Sequence, residues 1–325
     1  MRACPQCASF KGKKLTQDLG IALVHRFFVR GSIQRTRYGG YPAIQFNDRH
    51  EPSVKGPLWL DADIRLLERT LGIGLFHYGP RYWMFGEIEP LKALQRLRER
   101  ARIVQRVVKE YPRVDLTTSE MVFRVRKNVP TPDDPAEYDS APREYNGTGR
   151  LDSKGHPVLY ASKDMELCLH ECRVAAEDEL FVASLQPSRT LHLLDLTTLL
   201  IEENVSEFES LDLAIHMLFL AGEHSYPVTR WIARAAKGAG FDGLAFPSYF
   251  SILRTGAIPF ETVYGISHRL IPQMHENERA KIVPNIALFG KPVAQGLVEV
   301  KSINRVVLRT VRYGAQLGPV GLKPK

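Results

Sequence analysis

Between residues 119 and 313 short apolar strands and amphipathic helices follow one another in no strict alternation, and this order constrains the fold more than any other feature of the chain. A doubly wound parallel sheet needs regular alternation of the two element types; mixed order points to an α+β fold. Strands are predicted at Met121 to Val125, Pro157 to Ala161, Leu180 to Ser184, Thr190 to Leu196, Asp242 to Phe246 and Asn285 to Phe289. A helix is predicted from about 164 to 177, started by Ser162 or Asp164, and another from Pro227 to Ala239, closed by Gly240.

The first 118 residues read as a separate, smaller module. They hold 21 Lys and Arg against 11 Asp and Glu, a balance of +10, whereas the whole chain of 325 residues carries +8. A basic module of this kind can attract nucleic acid through counterion release, or present a solvated basic surface. No aromatic RNA-binding motif or helix-turn-helix pattern favours the first reading. Cys4 and Cys7 resemble half of a zinc knuckle, but His25 and His50 complete no standard ligand spacing, so no metal site is assigned. The spacing of Leu91, Leu94, Leu97, Ile103, Val104 and Val107 predicts one helix over 90–110 leading into the second module. Residues 314–325 form a tail. Four cysteines are too few for a disulfide scaffold, no apolar run reaches membrane-spanning length, and the first residues lack a signal-peptide pattern. These features predict a cytoplasmic chain with no membrane contact.

The chemistry-bearing residues cluster in the second module. Glu171 stands in Leu-Cys-Leu-His-Glu-Cys-Arg, at the edge of a stripe made by Met165, Cys168, Cys172 and Ala175. A carboxylate at that boundary can stabilise nearby positive charge or pair with Arg173 or Lys163. Arg124 alternates inside an apolar strand, and Arg150 follows Gly149. Guanidinium groups from separate segments can clamp a pyrophosphate or bridge to local acids. Ser248 lies just past a strand, where ligand-facing groups often sit, although a plain capping role also fits. With no phosphate-binding glycine loop in the chain, side chains would have to hold any phosphate.

Phe123-Arg124, Gly149-Arg150, Pro157 to Tyr160, His170-Glu171, Leu193 to Leu196, Phe241-Asp242-Gly243 to Ser248, and Asn285 to Phe289 occur in one order. Together these motifs resemble the RES domain family over about 119–313. The resemblance implies an ADP-ribosyltransferase-like split β-sheet with flanking helices, NAD as substrate, and a role as the toxin half of a toxin–antitoxin pair. It places Arg124, Arg150, Tyr160, Glu171 and Ser248 at functional positions, with Asn285 as a further binding residue. Two departures stand out: Leu151 follows the Gly-Arg pair where the family commonly has an aromatic or Met, and about 36 residues separate Ser248 from Asn285.

Cleavage of nicotinamide from ribose passes through an oxocarbenium-like state, which one carboxylate can stabilise. Nicotinamide leaves as a neutral ring, so no second acid is required. On this reading Glu171, Arg124 and Ser248 are catalytic, and Arg124, Arg150, Tyr160, Ser248 and Asn285 bind NAD. The resemblance implies an NAD glycohydrolase acting as a toxin or defence effector, with a neutralising or regulatory protein partner and room for oligomerisation. ADP-ribose transfer to a protein or nucleic acid is the alternative within enzymes. A basic nucleic-acid-binding protein with the second module as scaffold is the alternative outside them.

Overall fold

The computed structural model describes residues 89–142, 147–205, 209–220, 225–257, 262–263 and 266–309. Cys4, Cys7, His25, His50, the basic segments before residue 89 and the tail from 314 lie outside the described residues. Numbered in chain order, the elements begin with helices α1 (Glu89–Gln95) and α2 (Leu97–Glu110) and strands β1 (Arg113–Leu116) and β2 (Val122–Lys127). Strand β3 (Val158–Ala161), helix α3 (Met165–Glu171), and strands β4 (Leu180–Pro187) and β5 (Leu191–Asp195) follow. Next come α4 (Leu211–Leu220), α5 (Tyr226–Gly238), β6 (Gly243–Pro247) and α6 (Ser251–Thr255). The chain then forms the short pair β7 (Thr262–Val263) and β8 (Ile266–Ser267), α7 (His275–Ala280), β9 (Pro284–Phe289) and β10 (Val298–Val306).

The fold is α+β, with two main sheets. A five-stranded sheet has the order β1-β5-β6-β9-β3, and a three-stranded sheet the order β10-β4-β2. All pairings in them are antiparallel except β5–β6, whose connection carries α4 and α5. Alternation along the central strands sorts side chains to two faces. Ile286, Leu288, Leu159 and Ala161 pack with Ala183 and Leu185 of β4 into the core between the sheets. Ala287, Leu244, Phe246 and Val158 face the helices instead, against Leu94, Ile103, Phe219 and Ile232. An isolated bridge between Phe123 and Ser162 ties the edge of β2 to the end of β3, joining the two sheets.

Four expectations are corrected here. The helix over 90–110 is two helices, because Arg96 is extended (φ −90°, ψ 116°). Buried Arg100 crosses the corner, its Nε donating to the Leu94 carbonyl at 2.7 Å and satisfying one of the orphaned acceptors at the end of α1. The helix over 164–177 stops at Glu171: Cys172 is the cap, and Arg173 takes a left-handed φ of 48° that carries the chain away. Met165, read as core-facing, is exposed. The break after residue 118 falls inside continuous packing, since β1 pairs with β5 and α1 and α2 supply Leu91, Leu94, Ile103 and Val107 to the helix-side core.

Candidate active site

The site begins at the joint between the sheets. Phe123 and Ser162 exchange backbone hydrogen bonds of 2.7 and 3.0 Å, and the Ser162 hydroxyl donates to the Pro284 carbonyl at 2.9 Å. Two residues later Asp164 caps α3, accepting from the Leu167 N–H at 2.9 Å. Four residues apart on that helix run, Cys168 and Cys172 donate thiol hydrogen bonds to the carbonyls of Phe123 and Val125 at 3.2 and 3.3 Å. They fasten α3 along β2. Burial pushes the Cys168 thiol up to about 12, so it stays protonated as a donor.

This fastening delivers Glu171, the last residue of α3, to the ends of β6 and β9. Ser248 follows β6 directly and is fully buried. Its N–H donates to the Val283 carbonyl at 3.0 Å, and its hydroxyl accepts from the Phe250 N–H at 3.0 Å. With its own proton it donates to Glu171 Oε1 at 2.6 Å. Asn285, buried on β9 opposite Phe246, donates its amide to the same oxygen at 2.5 Å. Three segments 77 and 114 residues apart in sequence thus meet on one carboxylate oxygen. Hydrogen bonds to a charged acceptor are short and contribute about 1.5–3 kcal/mol each. The second oxygen, Oε2, makes no hydrogen bond with the described residues, and Glu171 as a whole is exposed. One oxygen is therefore anchored and the other presented to solvent.

Tyr160 neighbours this cluster through the β3–β9 pairing. Tyr160 pairs with Ala287 in the β3–β9 register, so its ring shares the helix-side face with Asn285, two residues along β9. Its hydroxyl accepts from the N–H groups of Leu151 and Asp152 at 2.8 and 3.2 Å and donates to Asp152 Oδ1 at 3.0 Å. Burial pushes the phenol up well beyond its usual range. Gly149 is needed at this turn, because a Cβ there would stand 2.1 Å from Asp152 Oδ1 and 3.1 Å from the Tyr160 oxygen. Arg150 Nη1 lies 3.2 Å from Ser225 Oγ, and its guanidinium sits 4.9 Å over the Tyr226 ring and 6.0 Å over Phe219. Phe219 in turn packs on Phe246 at 5.3 Å, which links Arg150 to the strand position opposite Asn285.

Arg124 is placed differently. It is buried at the joint, with Nη1 donating to the Tyr160 carbonyl at 2.8 Å and Nη2 to the Asp139 carbonyl at 2.9 Å. Burial, with Arg126 as the next cause, lowers its guanidinium to about 10. Its Nε is a buried donor with no partner among the described residues. Asp139 anchors this end, its carboxylate accepting from the N–H groups of Ser140, Val293 and Ala294.

The sequence reading did not single out Asp139, Asp152, Thr229 or Arg230. Thr229 donates to the Arg150 carbonyl at 2.6 Å, and Arg230 donates twice to the Gly149 carbonyl at 3.0 and 2.6 Å. Thr229 sits on the buried stripe of α5 between Val228 and Ile232, and a hydroxyl amid apolar stripe residues is the one available signal. Among the described residues no helix is long and apolar enough to cross a membrane.

No curated protein matches the chain. Among solved structures, a chain of the crystal structure of the M. tuberculosis MbcT–MbcA toxin–antitoxin complex is similar, with 12% identity and a TM-score of 0.37. The match covers 63% of this chain and 91% of that one. The model of the RES domain matches residues 121–258, a span that contains Arg124, Arg150, Tyr160, Glu171 and Ser248 and ends short of Asn285. Over residues 121–258 the chain is thus similar to the RES domain.

Proposed function

We propose that the site cleaves the nicotinamide–ribose bond of NAD, with water as acceptor, giving nicotinamide, ADP-ribose and a proton. The observation that carries this reading is the asymmetric Glu171: Oε1 is held by the neutral donors Ser248 and Asn285, and Oε2 makes no hydrogen bond with described residues. Two neutral donors fix the carboxylate without cancelling its charge, as a lysine or arginine would. Such a group suits a transition state that gains positive charge at a ribose carbon. The bonding electrons of the C–N bond leave with the nicotinamide nitrogen, so no acid is required. Water then bonds to the ribose carbon, and Glu171 Oε2 takes the proton that water loses.

Arg150 supplies a fixed cation on the same sheet face for the diphosphate, and the buried Nε of Arg124 offers a further donor at the joint. Tyr160 presents its ring beside Asn285, a surface on which the nicotinamide can stack. Depletion of NAD by this reaction fits a toxin or defence effector held in check by a protein partner. The test is the intact chain incubated with NAD labelled in its adenine. Release of nicotinamide with the label recovered as free ADP-ribose is the expected result. Label on a macromolecule would move the reading to ADP-ribosyl transfer, and absence of nicotinamide release would refute it.

A further inference from the structure

We infer that Thr229 and Arg230 of α5 are positioning residues for Arg150, and that Arg150 and Arg230 together form a two-guanidinium subsite for a diphosphate. The inference rests on the dinucleotide reading above and adds two residues outside the motifs that led to it.

The turn carrying Arg150 is held by side chains on every successive peptide unit. The Gly149 carbonyl takes both Arg230 bonds, at 3.0 Å from Nε and 2.6 Å from Nη2. The Arg150 carbonyl takes the Thr229 hydroxyl at 2.6 Å. The next two N–H groups, of Leu151 and Asp152, go to the Tyr160 hydroxyl. A helical threonine ordinarily turns its hydroxyl onto a carbonyl of its own helix. Here that local contact, to the Tyr226 carbonyl, is the longer one at 3.2 Å. A hydroxyl has one proton, and the shorter bond places it on Arg150. Thr229 is fully buried, so water cannot substitute for that bond.

Both guanidiniums then fall over one ring. Arg150 lies 4.9 Å and Arg230 5.7 Å from the Tyr226 centroid, and the hydrogen bonds of Arg230 from Nε and Nη2 go to a neutral carbonyl. Two cations held this near each other raise the local potential, and an anion bearing two charges relieves it. A diphosphate matches in charge and in its planar pairing with guanidinium forks. Through the core, the contact of buried Phe219 with buried Phe246, which pairs with Asn285, ties the arginine pair to the strand that carries the Glu171 anchor.

The test uses the full chain and two readouts: calorimetric affinity for ADP-ribose, which needs no turnover, and the split of nicotinamide release into KM and kcat. Thr229→Val removes one buried hydrogen bond at constant shape. It should weaken ADP-ribose binding about tenfold, or about 1.4 kcal/mol. KM for NAD should rise by a similar factor while kcat holds within about twofold. Thr229→Ser should restore both, which a general loss of packing would not allow. Arg230→Met should weaken binding more than Thr229→Val, with Arg230→Lys recovering part of the loss. A Thr229→Val chain that binds ADP-ribose as wild type does, or an Arg230→Met chain with unchanged affinity, overturns the inference. A wild-type chain that binds ADP-ribose and releases no nicotinamide refutes the reaction alone, and the variants still decide the subsite. One that binds no ADP-ribose refutes both.

Discussion

Replacing Glu171 by Gln changes one charge and almost no shape. The two donors that meet Oε1, from Ser248 and Asn285, can meet the amide oxygen of glutamine in the same way, so the anchor survives. What is lost is the negative charge of the presented oxygen. A carboxylate about 4 Å from a unit positive charge is worth about 4 kcal/mol at an effective dielectric near 20, and about 1 kcal/mol in bulk water. Glu171 itself is exposed, which favours the smaller figure; its anchors Ser248 and Asn285 are buried, and a bound dinucleotide displaces water from the remainder. The larger figure then governs the transition state, and kcat should fall by about 10³. Loss of nicotinamide release, measured with a fluorescent NAD analogue, is the readout, and thermal unfolding is the control. The chain should stay folded, with a stability loss of about 1–3 kcal/mol as two charge-assisted hydrogen bonds become neutral ones. Turnover within about fivefold of wild type in a folded Glu171→Gln chain would show that this carboxylate stabilises no developing cation.

Asn285→Ala leaves Ser248 as the one remaining donor on Oε1 and should cut kcat by about 10- to 100-fold, read in the same fluorescence assay; an unchanged rate would detach β9 from the chemistry. Tyr160→Phe strands the N–H groups of Leu151 and Asp152 and removes the donor on Asp152 Oδ1, and should cost about 2–4 kcal/mol in urea unfolding; a loss below about 0.5 kcal/mol would mean the turn is held without that hydroxyl. His216 is fully buried in α4, and burial lowers it to about 4 from an ordinary 6.5. Between those two values the unfolded chain binds the proton and the folded chain does not, so stability is full above pH 6.5 and falls by up to about 3 kcal/mol as pH drops toward 4. Urea unfolding at pH 7 and pH 5 should show that slope, and His216→Gln should flatten it; an equal slope in the variant would place the protonation elsewhere.

The strands around the site were legible because each carries a compact apolar run, and β3, β4, β5, β6 and β9 fall within a few residues of where the pattern put them. Helix α4 was not, because all ten of its residues are buried, Asp212 and His216 included, and a helix covered on every side shows no amphipathic period. Strand β10 was missed for the opposite reason: it pairs on one side, with β4, and most of its residues are half-buried or exposed, with little apolar contrast. The corner at Arg96 depends on Arg100 reaching back six residues, a contact that local periodicity does not encode. Within the site, the residue types were readable one by one. Their grouping was not, because Asn285 reaches Glu171 only through the order β6-β9-β3, which is a property of strand pairing across the whole sheet. Arg124 shows the converse: its type suggested a ligand clamp, while its two terminal nitrogens serve main-chain carbonyls.

The stretch between β6 and β9 leaves and re-enters the sheet at a stitched seam, where the Ser248 N–H meets the Val283 carbonyl and the Val283 N–H meets the Ser251 hydroxyl at 2.9 Å. Lengthening a closed loop costs only about 0.6 kcal/mol per doubling, and a seam of this kind keeps that cost from reaching the strands. Segments of different size can therefore be spliced in beside Ser248 and Asn285 while both keep their hold on the carboxylate. Natural variation can rework what surrounds the mouth of the site without rebuilding the chemistry at its floor.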